Sequence, residues 1–378
     1  MKKNLTLLFN NFEKEHLGKD VFLVPYYLGK HYNYNVTIVF PKTRTNINIP
    51  SSIDNVNLKS IQCIGNSKNE LIADLNLLVY LILNAKKIDC LMRFHSTHMT
   101  ALIVCIYKLL KHSGKVYVKM DINPLQINLN YKQGLSPLKK LSSIIYKYYT
   151  KSINVISCET SLVYNKLKQA DSFHYNFKNK LVLMPNGFDE AKLAKTKLKE
   201  KSFSEKENII ITVGRLGDKS KNTELLLTAL KSLNLKNWKV FFIGPIQESL
   251  KEKIDAFYKH YPEKKENVIF TGSIYDKEKL WTYYNRSKVF VLTSRWESYA
   301  LVLNEAKRFK NYIISTDVGA ASDLIEGGKY GKIIPQDSDI DLINTLDGII
   351  NNRININVYA DFQGSSLSWE EMIKKIHL

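Results

Sequence analysis

Cysteine is scarce in this sequence, and the few that occur are scattered. The four residues are Cys63, Cys90, Cys105 and Cys158, and no two of them have C-x-x-C spacing. The spacing excludes a zinc site of the C-x-x-C type and gives no disulfide framework of the kind that small secreted folds use. The cysteine pattern therefore favours a reducing compartment and predicts a cytoplasmic protein.

Long apolar runs are also missing. The longest apolar stretch, residues 71–88, is interrupted by Asp74, Asn76 and Asn84, whereas a membrane-spanning helix needs roughly 20 mostly apolar residues. The apolar start ends at two asparagines and is too short for the core of a signal peptide. We therefore expect neither a transmembrane helix nor a signal peptide.

Acidic residues are outnumbered by basic ones. The chain of 378 residues has 55 Lys and Arg against 36 Asp and Glu, which gives a formal net charge of +19. Such a charge favours an acidic partner, namely nucleic acid, an anionic membrane surface or a phosphorylated small molecule. Charge alone does not select among the three.

Short apolar runs rich in β-branched residues alternate with longer helical patterns, which is typical of βαβ units and a parallel sheet. In the first half, strands are predicted at residues 5–9, 36–40, 90–93, 116–120, 154–157 and 181–184. A Pro-Asn-Gly turn and a lysine-rich stretch then mark a boundary near residue 187. Strands resume at residues 209–213, 240–243, 268–270, 289–292 and 312–315. The sequence therefore predicts two α/β domains in tandem, followed by a helical tail.

One motif, residues 293–306, follows directly on a predicted strand and opens into a helical pattern. This order leaves backbone N–H groups at the helix start, where they can bind a diphosphate. Glu297 lies in the loop and Glu305 lies eight positions later, about one turn inside the helix. The two carboxylates can address opposite ends of one ligand. Taken alone, the two glutamates are more typical of a helix cap with an exposed second charge.

A second motif contains Val213-Gly214-Arg215-Leu216, and Lys219 and Lys221 follow it. Two fixed cations at this point, Arg215 and Lys221, can stabilise the negative charge of a departing nucleoside diphosphate. Lys219 competes with Lys221 for this role. The alternative without a function is a set of solvated charges at a helix start.

Together the two motifs resemble those of the retaining glycosyltransferases of family four, whose E-x7-E signature is matched by Glu297 and Glu305. The resemblance implies an α/β fold of the GT-B type, with two Rossmann-like domains facing a central cleft and a C-terminal helix crossing back to the first domain. Residues 1–187 would bind the acceptor, residues 188–355 would bind the nucleotide sugar, and residues 356–378 would form the returning helix.

The resemblance also assigns roles to residues of the second domain. It implies that Glu297 contacts hydroxyls of the donor sugar and that Glu305 binds the ribose, and its spacing favours Lys221 over Lys219. The other implied donor-binding residues are Gly214 and Arg215 at the diphosphate, Gly272, Ser273 and Ile274 in the base-binding loop, and the backbone amides of Tyr299, Ala300, Leu301 and Val302.

The resemblance is weaker in the first domain. Of the glycine pair expected after the first strand, only Gly18 is present. Gly18 either lets the backbone approach the donor closely or is an ordinary glycine at a helix start, and both interpretations are open. Many relatives have a histidine where this sequence has Lys119 and Asp121. Asp121 is predicted to orient the acceptor hydroxyl or the donor sugar. His95 and His98 are rival candidates, and a structural role remains open for all three.

The acceptor is expected to be a glycan or a lipid-linked molecule. Residues 131–141 and 144–151 mix basic and aromatic side chains, a pattern that can lie at an anionic membrane. A domain helix with lysines facing water explains the same pattern. The membrane interpretation adds a peripheral position on the inner face of the plasma membrane.

The resemblance thus predicts a hexosyltransferase of bacterial surface polysaccharide synthesis, with a UDP-sugar favoured and a GDP-sugar as the second choice. No cofactor or metal is expected, because the D-x-D sequence at Asp337 and Asp339 is interpreted as a cap before a helix from Leu342. One alternative is a GT-B nucleotide-sugar epimerase, which is not expected to carry this set of Arg, Lys and two Glu. The other is a basic nucleic-acid-binding protein, for which the sequence offers no recognition helix or stacking platform.

Overall fold

The computed structural model describes residues 2–65, 69–124, 127, 137–170 and 176–378. The chain forms two compact units. Unit 1 comprises residues 1–186 together with 369–378, and unit 2 comprises residues 187–368. In chain order, unit 2 is therefore inserted near the end of unit 1. The segment 356–378, predicted to form one helix, is shared between the units.

Unit 1 begins with alternating strands and helices. Its strands are β1 (Asn4–Leu8), β2 (Asn35–Pro41), β3 (Ser52–Ile53), β4 (Val56–Ile61), β5 (Cys90–Phe94), β6 (Lys115–Met120), β7 (Val155–Cys158) and β8 (Leu181–Leu183). Its helices are α1 (Asp20–Tyr32), α2 (Glu70–Asn84), α3 (His98–Leu110), α4 (Pro137–Ser152) and α5 (Ser161–Gln169). Side chains of Asn69, Thr97 and Thr160 cap α2, α3 and α5 by accepting hydrogen bonds from backbone N–H groups of the first turn.

The strands of unit 1 form one sheet in the order β3-β4-β2-β1-β5-β6-β7-β8. All pairings are parallel except that of β3 with β4. Successive residues of a strand point to opposite faces, so Leu7 packs in one core with α1 whereas Leu8 packs in the other with α2, α3, α4 and α5. Both faces of the sheet are thus covered by helices.

Unit 2 repeats this alternation. Its strands are β9 (Glu207–Val213), β10 (Lys239–Ile243), β11 (Val268–Gly272), β12 (Ser287–Leu292), β13 (Tyr312–Thr316) and β14 (Gly331–Ile334). Its helices are α6 (Glu190–Leu193), α7 (Thr223–Ser232), α8 (Glu248–His260), α9 (Lys277–Arg286), α10 (Leu301–Arg308), α11 (Ala321–Ile325) and α12 (Asp339–Ile350).

The sheet of unit 2 is entirely parallel, in the order β11-β10-β9-β12-β13-β14. The chain order reverses between β9 and β12. At such a switch point the loops after the two strands diverge, and the crevice at the carboxyl ends is where open α/β sheets bind ligands. Both motifs singled out in the sequence begin at the carboxyl ends of these two strands.

The last helix of the chain, α13 (Trp369–Ile373), belongs to unit 1. Trp369 and Met372 are buried in the core that also contains α1. The ring of Trp369 stacks on that of Tyr27, with 6.5 Å between the ring centroids. The C-terminal residues therefore complete the first core.

All eleven predicted strands are confirmed to within two residues at each end. Three further strands, β3, β4 and β14, were not predicted, and each lies at or next to the edge of its sheet. In the described part of the chain, no helix is both long and apolar enough to cross a membrane.

Candidate functional site

The two sequence motifs of unit 2 are hydrogen-bonded to each other. The backbone N–H of Arg295 donates to the carbonyl of Ser220 at 2.7 Å, and the hydroxyl of Thr293 donates to the carbonyl of Asn222 at 2.9 Å. These bonds follow from the pairing of β9 with β12, whose carboxyl ends lie at the same edge of the sheet. The loops after β9 and β12 therefore form one surface.

Lys221 and Glu297 form an ion pair across this surface. The Lys221 Nζ lies 2.5 Å from the Glu297 Oε1, which also accepts a hydrogen bond from the Ser294 hydroxyl at 2.7 Å. The side chains are only 20% and 11% exposed, so water screens the pair less than it would a surface pair. The Lys221 stem passes Gly214, where a Cβ would lie 3.9 Å from it. The structure thus brings together Gly214, Lys221 and Glu297.

Arg215 lies in the same loop but has a different partner. Its Nε donates to the Asp218 Oδ2 at 2.9 Å, and its side chain is 61% exposed. Hydrogen bonds from Ser220 and Arg215 hold the pKa of Asp218 at about 2. The backbone carbonyl of the competing residue Lys219 accepts from Arg295 at 3.0 Å. Arg215 therefore pairs with Asp218 and does not join the ion pair of Lys221 and Glu297.

The loop of Glu297 enters α10 through a left-handed residue. Ala300 has φ 69° and is the residue before the first turn, which begins with Leu301 and Val302. The first N–H groups of a helix have no partner within the helix and carry its positive end. The Tyr299 carbonyl accepts from the N–H of Ala320 at 2.9 Å. A helix start is thus held directly after Glu297.

Glu305 lies in α10 and is held by α9. Its Oε1 accepts hydrogen bonds from the Lys277 Nζ at 2.7 Å and from the Trp281 Nε1 at 3.2 Å, and its side chain is 11% exposed. Burial, together with the charge of Glu305, raises the pKa of the neighbouring Tyr284. Sequence reasoning missed Lys277 and Trp281. Their spacing of four residues, which places them on one face of a helix, was the available signal.

The predicted base-binding loop follows β11. Gly272 has φ 72°, a conformation that favours glycine, and its carbonyl accepts from the N–H of Gly244 at 2.9 Å. Ser273 is exposed, whereas Ile274 is partly buried against the core that includes α9. A Cβ at Gly272 would meet nothing within 4 Å, so there is open space beside this turn.

Unit 1 contains a cavity of about 550 Å³ at the carboxyl ends of β1 and β5. The chain order of the sheet also reverses between these strands. His95 and His98 line the cavity together with Phe9 and Phe94, and Asp74 and Arg93 form a buried ion pair of 2.7 Å in its wall. This part of unit 1 therefore contains two of the predicted acceptor-side residues.

Asp121 and Gly18 are the remaining first-domain candidates. The backbone carbonyl of Asp121 lies 3.0 Å from the Nδ1 of the cavity residue His95, whose φ is 59°. Asp121 and Gly18 are not among the cavity-lining residues. Gly18 ends a 3-10 helix before α1, has no positive φ, and a Cβ there would meet nothing within 4 Å. Of the segment 131–141 predicted to contact the acceptor or a membrane, residues 131–136 lie outside the described part of the chain.

A buried charge network lies at the end of β6 and β7. Lys119 is fully buried and pairs with Asp20, at 2.8 Å, and with Glu159. The Asn186 side chain donates to Glu159 at 2.9 Å. One ammonium group cannot neutralise two carboxylates, and burial raises the pKa of Glu159 to about 8. Sequence reasoning noted Lys119 but gave no role to Asp20 or Glu159.

The D-x-D sequence is part of a helix start. The Ser338 hydroxyl accepts from the N–H of Asp341 and caps α12, which begins three residues earlier than predicted, at Asp339. Asp337 pairs with Arg295 at 2.7 Å and accepts a hydrogen bond from Asn222. The cap interpretation of this sequence is therefore confirmed. Within the described ranges, no cluster of three or more His, Cys, Asp or Glu is arranged to hold a metal ion.

Unit 2 contains a segment that matches a known protein family. Residues 194–363 match the family model of glycosyl transferases group 1. This group 1 segment contains Lys221, Glu297, Glu305 and the loop at Gly272. It lies entirely within unit 2.

Two curated proteins are similar to parts of the chain. An uncharacterized 41.2 kDa protein in the cps region of Klebsiella pneumoniae is 29% identical over 174 residues, which are 45% of this chain and 46% of that protein. The amylovoran biosynthesis glycosyltransferase AmsD of Erwinia amylovora is 30% identical over 115 residues, or 30% and 31% of the two chains. The matches thus span less than half the length of either relative.

A solved structure is similar over nearly the whole chain. Alr3699/HepE of Anabaena in complex with UDP has a TM-score of 0.66 at 14% identity, and the match covers 98% of this chain and 97% of that one. Likeness at this identity shows the fold alone. The α/β fold with two Rossmann-like domains, predicted as GT-B, is thereby confirmed.

Proposed function

We propose that the chain is a retaining glycosyltransferase that moves a sugar from a nucleoside diphosphate sugar to a hydroxyl of a glycan or lipid-linked acceptor. A UDP-sugar is the favoured donor. The proposal includes a role in surface polysaccharide synthesis, because one curated relative is named for amylovoran biosynthesis and another lies in a cps region. A complex of the structurally similar Anabaena protein contains UDP.

The observation that carries the proposal is the Lys221–Glu297 ion pair beside the start of α10. A cation, a carboxylate and a helix N-terminus meet at the switch point of a parallel sheet. The cation and the helix start favour a diphosphate, and the carboxylate can accept hydrogen bonds from sugar hydroxyls. Donor binding would replace part of the Lys221–Glu297 pairing with contacts to the ligand.

The proposed roles follow the positions of the side chains. Lys221 would stabilise the charge that develops on the leaving diphosphate, and Glu297 would hold the donor sugar. Glu305, fixed by Lys277 and Trp281, would bind the ribose. Arg215 would also contact the diphosphate. Its side chain is 61% exposed and can leave Asp218 for a ligand of higher charge.

The bond changes are those of a single displacement on one face of the sugar. The anomeric carbon loses its bond to the diphosphate oxygen and gains a bond to the acceptor oxygen. The acceptor proton passes to the leaving phosphate. Asp121, Gly18 and the loop of Gly272, Ser273 and Ile274 remain proposed contacts of the acceptor and donor.

The test is a thermal-shift panel of UDP, GDP, ADP, CMP and their sugars. A ligand that binds only the folded state raises stability, by roughly 2.7 kcal/mol at about 100 times its Kd. We expect UDP to stabilise the protein most, and we expect Glu305→Ala and Lys221→Ala to lose most of this effect. Lys219→Ala and the exposed Glu248→Ala are the matched controls and should respond as the wild type does.

The absence of stabilisation by every nucleotide would refute the donor site. Stabilisation that persists in Lys221→Ala and Glu305→Ala would place the nucleotide elsewhere. Incubation of the stabilising nucleotide sugar without an acceptor separates the proposal from an epimerase, because an epimerase converts the free donor to its epimer.

A further inference from the structure

Three helices on one face of unit 1 carry an unusual number of exposed apolar side chains. Sixteen large apolar side chains are exposed in the described residues, and ten of them lie on α2, α3 and α4. We call these ten residues the apolar face. They are Leu71, Leu75, Val79, Ile82, Leu83, Leu109, Leu110, Leu141, Ile144 and Tyr148.

Helix α2 is apolar on both of its sides. Leu77 and Leu81 are fully buried in the core of unit 1, whereas Leu75, Val79 and Leu83, on another side of the helix, are 45%, 58% and 76% exposed. The spacing of four residues places these three on one stripe. A helix at the surface of a globular unit normally presents polar residues to water, and a helix that is apolar all round is normally covered. We therefore expect a partner to cover this stripe.

The charges on the three helices of the apolar face are mainly positive. Neither α3 nor α4 contains an Asp or Glu, while α4 contributes exposed lysines such as Lys140 and Lys147. In α2, Asp74 is buried and paired with Arg93, which leaves Glu70 as the acidic residue near the surface. Apolar side chains interleaved with lysines are the chemistry that binds an anionic lipid surface. A second copy of the same face would instead bring lysines against lysines.

The apolar face also reaches the cavity of unit 1. Leu71, which belongs to the apolar face and lies four residues before Leu75, lines that cavity together with Glu70 and His98. An acceptor anchored in a bilayer would thus have its head group near the cavity when the apolar face lies on the membrane.

We propose that the apolar face of α2, α3 and α4 binds the surface of an anionic lipid bilayer, with its leucines in the interface and its lysines at the head groups. The cavity would then take the head group of a lipid-linked acceptor, and this second part rests on the proposed function.

The test is co-sedimentation of the full chain with vesicles, either of phosphatidylcholine or of an equimolar mixture with phosphatidylglycerol. We expect binding to the anionic vesicles that weakens at high salt. The triple variant Leu75→Gln, Val79→Gln and Leu83→Gln keeps good helix formers and should bind at least roughly tenfold more weakly. The double variant Lys147→Gln and Lys151→Gln should bind roughly 30-fold more weakly.

Each variant has a control of the same chemistry away from the apolar face. Ile47→Gln with Ile340→Gln also replaces exposed apolar side chains, and Lys259→Gln with Lys279→Gln also removes two exposed lysines. Both controls should bind vesicles as the wild type does. Equal losses in variants and controls would contradict the proposal.

Two further results would overturn it. One is a lack of binding to anionic vesicles at low salt. The other is a wild-type dimer in sedimentation velocity that the triple leucine and valine variant converts to a monomer, since a second copy would then cover the face. Stabilisation by UDP is measured on the same proteins. A wild type that is stabilised by UDP but does not bind anionic vesicles defeats this inference alone, whereas the variants are expected to lose vesicle binding and keep the stabilisation by UDP.

Discussion

Gly319 shows how a single residue shapes the candidate site. It has φ 55°, and a Cβ at this position would lie 2.5 Å from the carbonyl oxygen of Tyr299 and 3.1 Å from the Cβ of Glu297. The loop after β13 can therefore approach the loop of Glu297 only where there is no side chain. The hydrogen bond from Ala320 to Tyr299 depends on this approach.

We predict that Gly319→Ala lowers both stability and UDP binding. The left-handed backbone costs an alanine about 1 kcal/mol, and the clash with Tyr299 must in addition displace the loop. Gly327→Ala is the matched control, because Gly327 has φ 64° but its Cβ would meet nothing within 4 Å. Urea denaturation and thermal shifts with UDP measure the two effects. If both variants bind UDP equally well, the contact does not shape the site.

The buried carboxyl group of Glu159 makes the stability of the protein depend on pH. Buried with Asp20 against a single lysine, it has a pKa raised to about 8. Between the ordinary pKa of a glutamate, about 4.3, and this value, the folded chain holds a proton that the unfolded chain releases. Stability then falls as the pH rises through this window and levels off above it.

We predict that Glu159→Gln removes this part of the pH dependence. The wild type should lose at most about 1.4 kcal/mol of unfolding free energy per pH unit relative to the variant across the window. The measurement is urea denaturation at a series of pH values. Glu371→Gln, at a side chain that is 48% exposed, is the control and should follow the wild type. Parallel curves for wild type and Glu159→Gln would show that Glu159 is ionised throughout.

The sequence predicted only some of the side-chain contacts in the candidate site. Lys221 and Glu297 were assigned to one ligand, and the structure places them 2.5 Å apart. The partners of Glu305 could not be predicted, because Lys277 and Trp281 lie 28 and 24 residues before it. Which face of α9 packs against α10 depends on the chain between the two helices, and the local sequence pattern does not determine its conformation. The same holds for Lys119, whose partner Asp20 is 99 residues away.

At the scale of the element, the start of α10 has an uncommon backbone. Ala300 is left-handed, with φ 69° and ψ 75°, although it is not a glycine. The cost of this conformation is offset by the packing of Tyr299 and Leu303, which are nearly or fully buried.

We predict that Ala300→Gly raises the unfolding free energy by up to about 1 kcal/mol and leaves UDP binding intact. Ala320→Gly is the control, and we expect it to lower the unfolding free energy. Its φ of −92° suits alanine, and a glycine there costs about 0.5 to 1 kcal/mol of chain entropy. Thermal unfolding of both variants is the measurement. A destabilised Ala300→Gly would mean that the methyl group contributes more by packing than the turn costs.

The strands differ in how well their sequences predicted them. Central strands such as β9 and β12 contain continuous apolar runs, residues 209–211 and 289–292, since they are covered on both faces. The edge strand β14 has only four residues and begins with Gly331, and β4 alternates apolar with polar residues. Strands with one neighbour or one exposed side need fewer apolar residues. Their sequences therefore resemble those of loops.

At the scale of the whole molecule, two tandem α/β domains could be predicted because each repeats the alternation of strand and helix. The path of the chain end could not be predicted in detail. Whether residues 356–368 pack in one core or the other depends on contacts that the local pattern does not encode. The structure assigns them to unit 2 and only residues 369–378 to unit 1.

This division has a consequence for the order of synthesis. A ribosome finishes every residue of unit 2 before it has made Trp369, Met372 and Ile373, which are buried in the first core. The first core is thus completed only after unit 2 has been synthesised. Until then, Tyr27 lacks the ring of Trp369 that stacks on it in the folded protein.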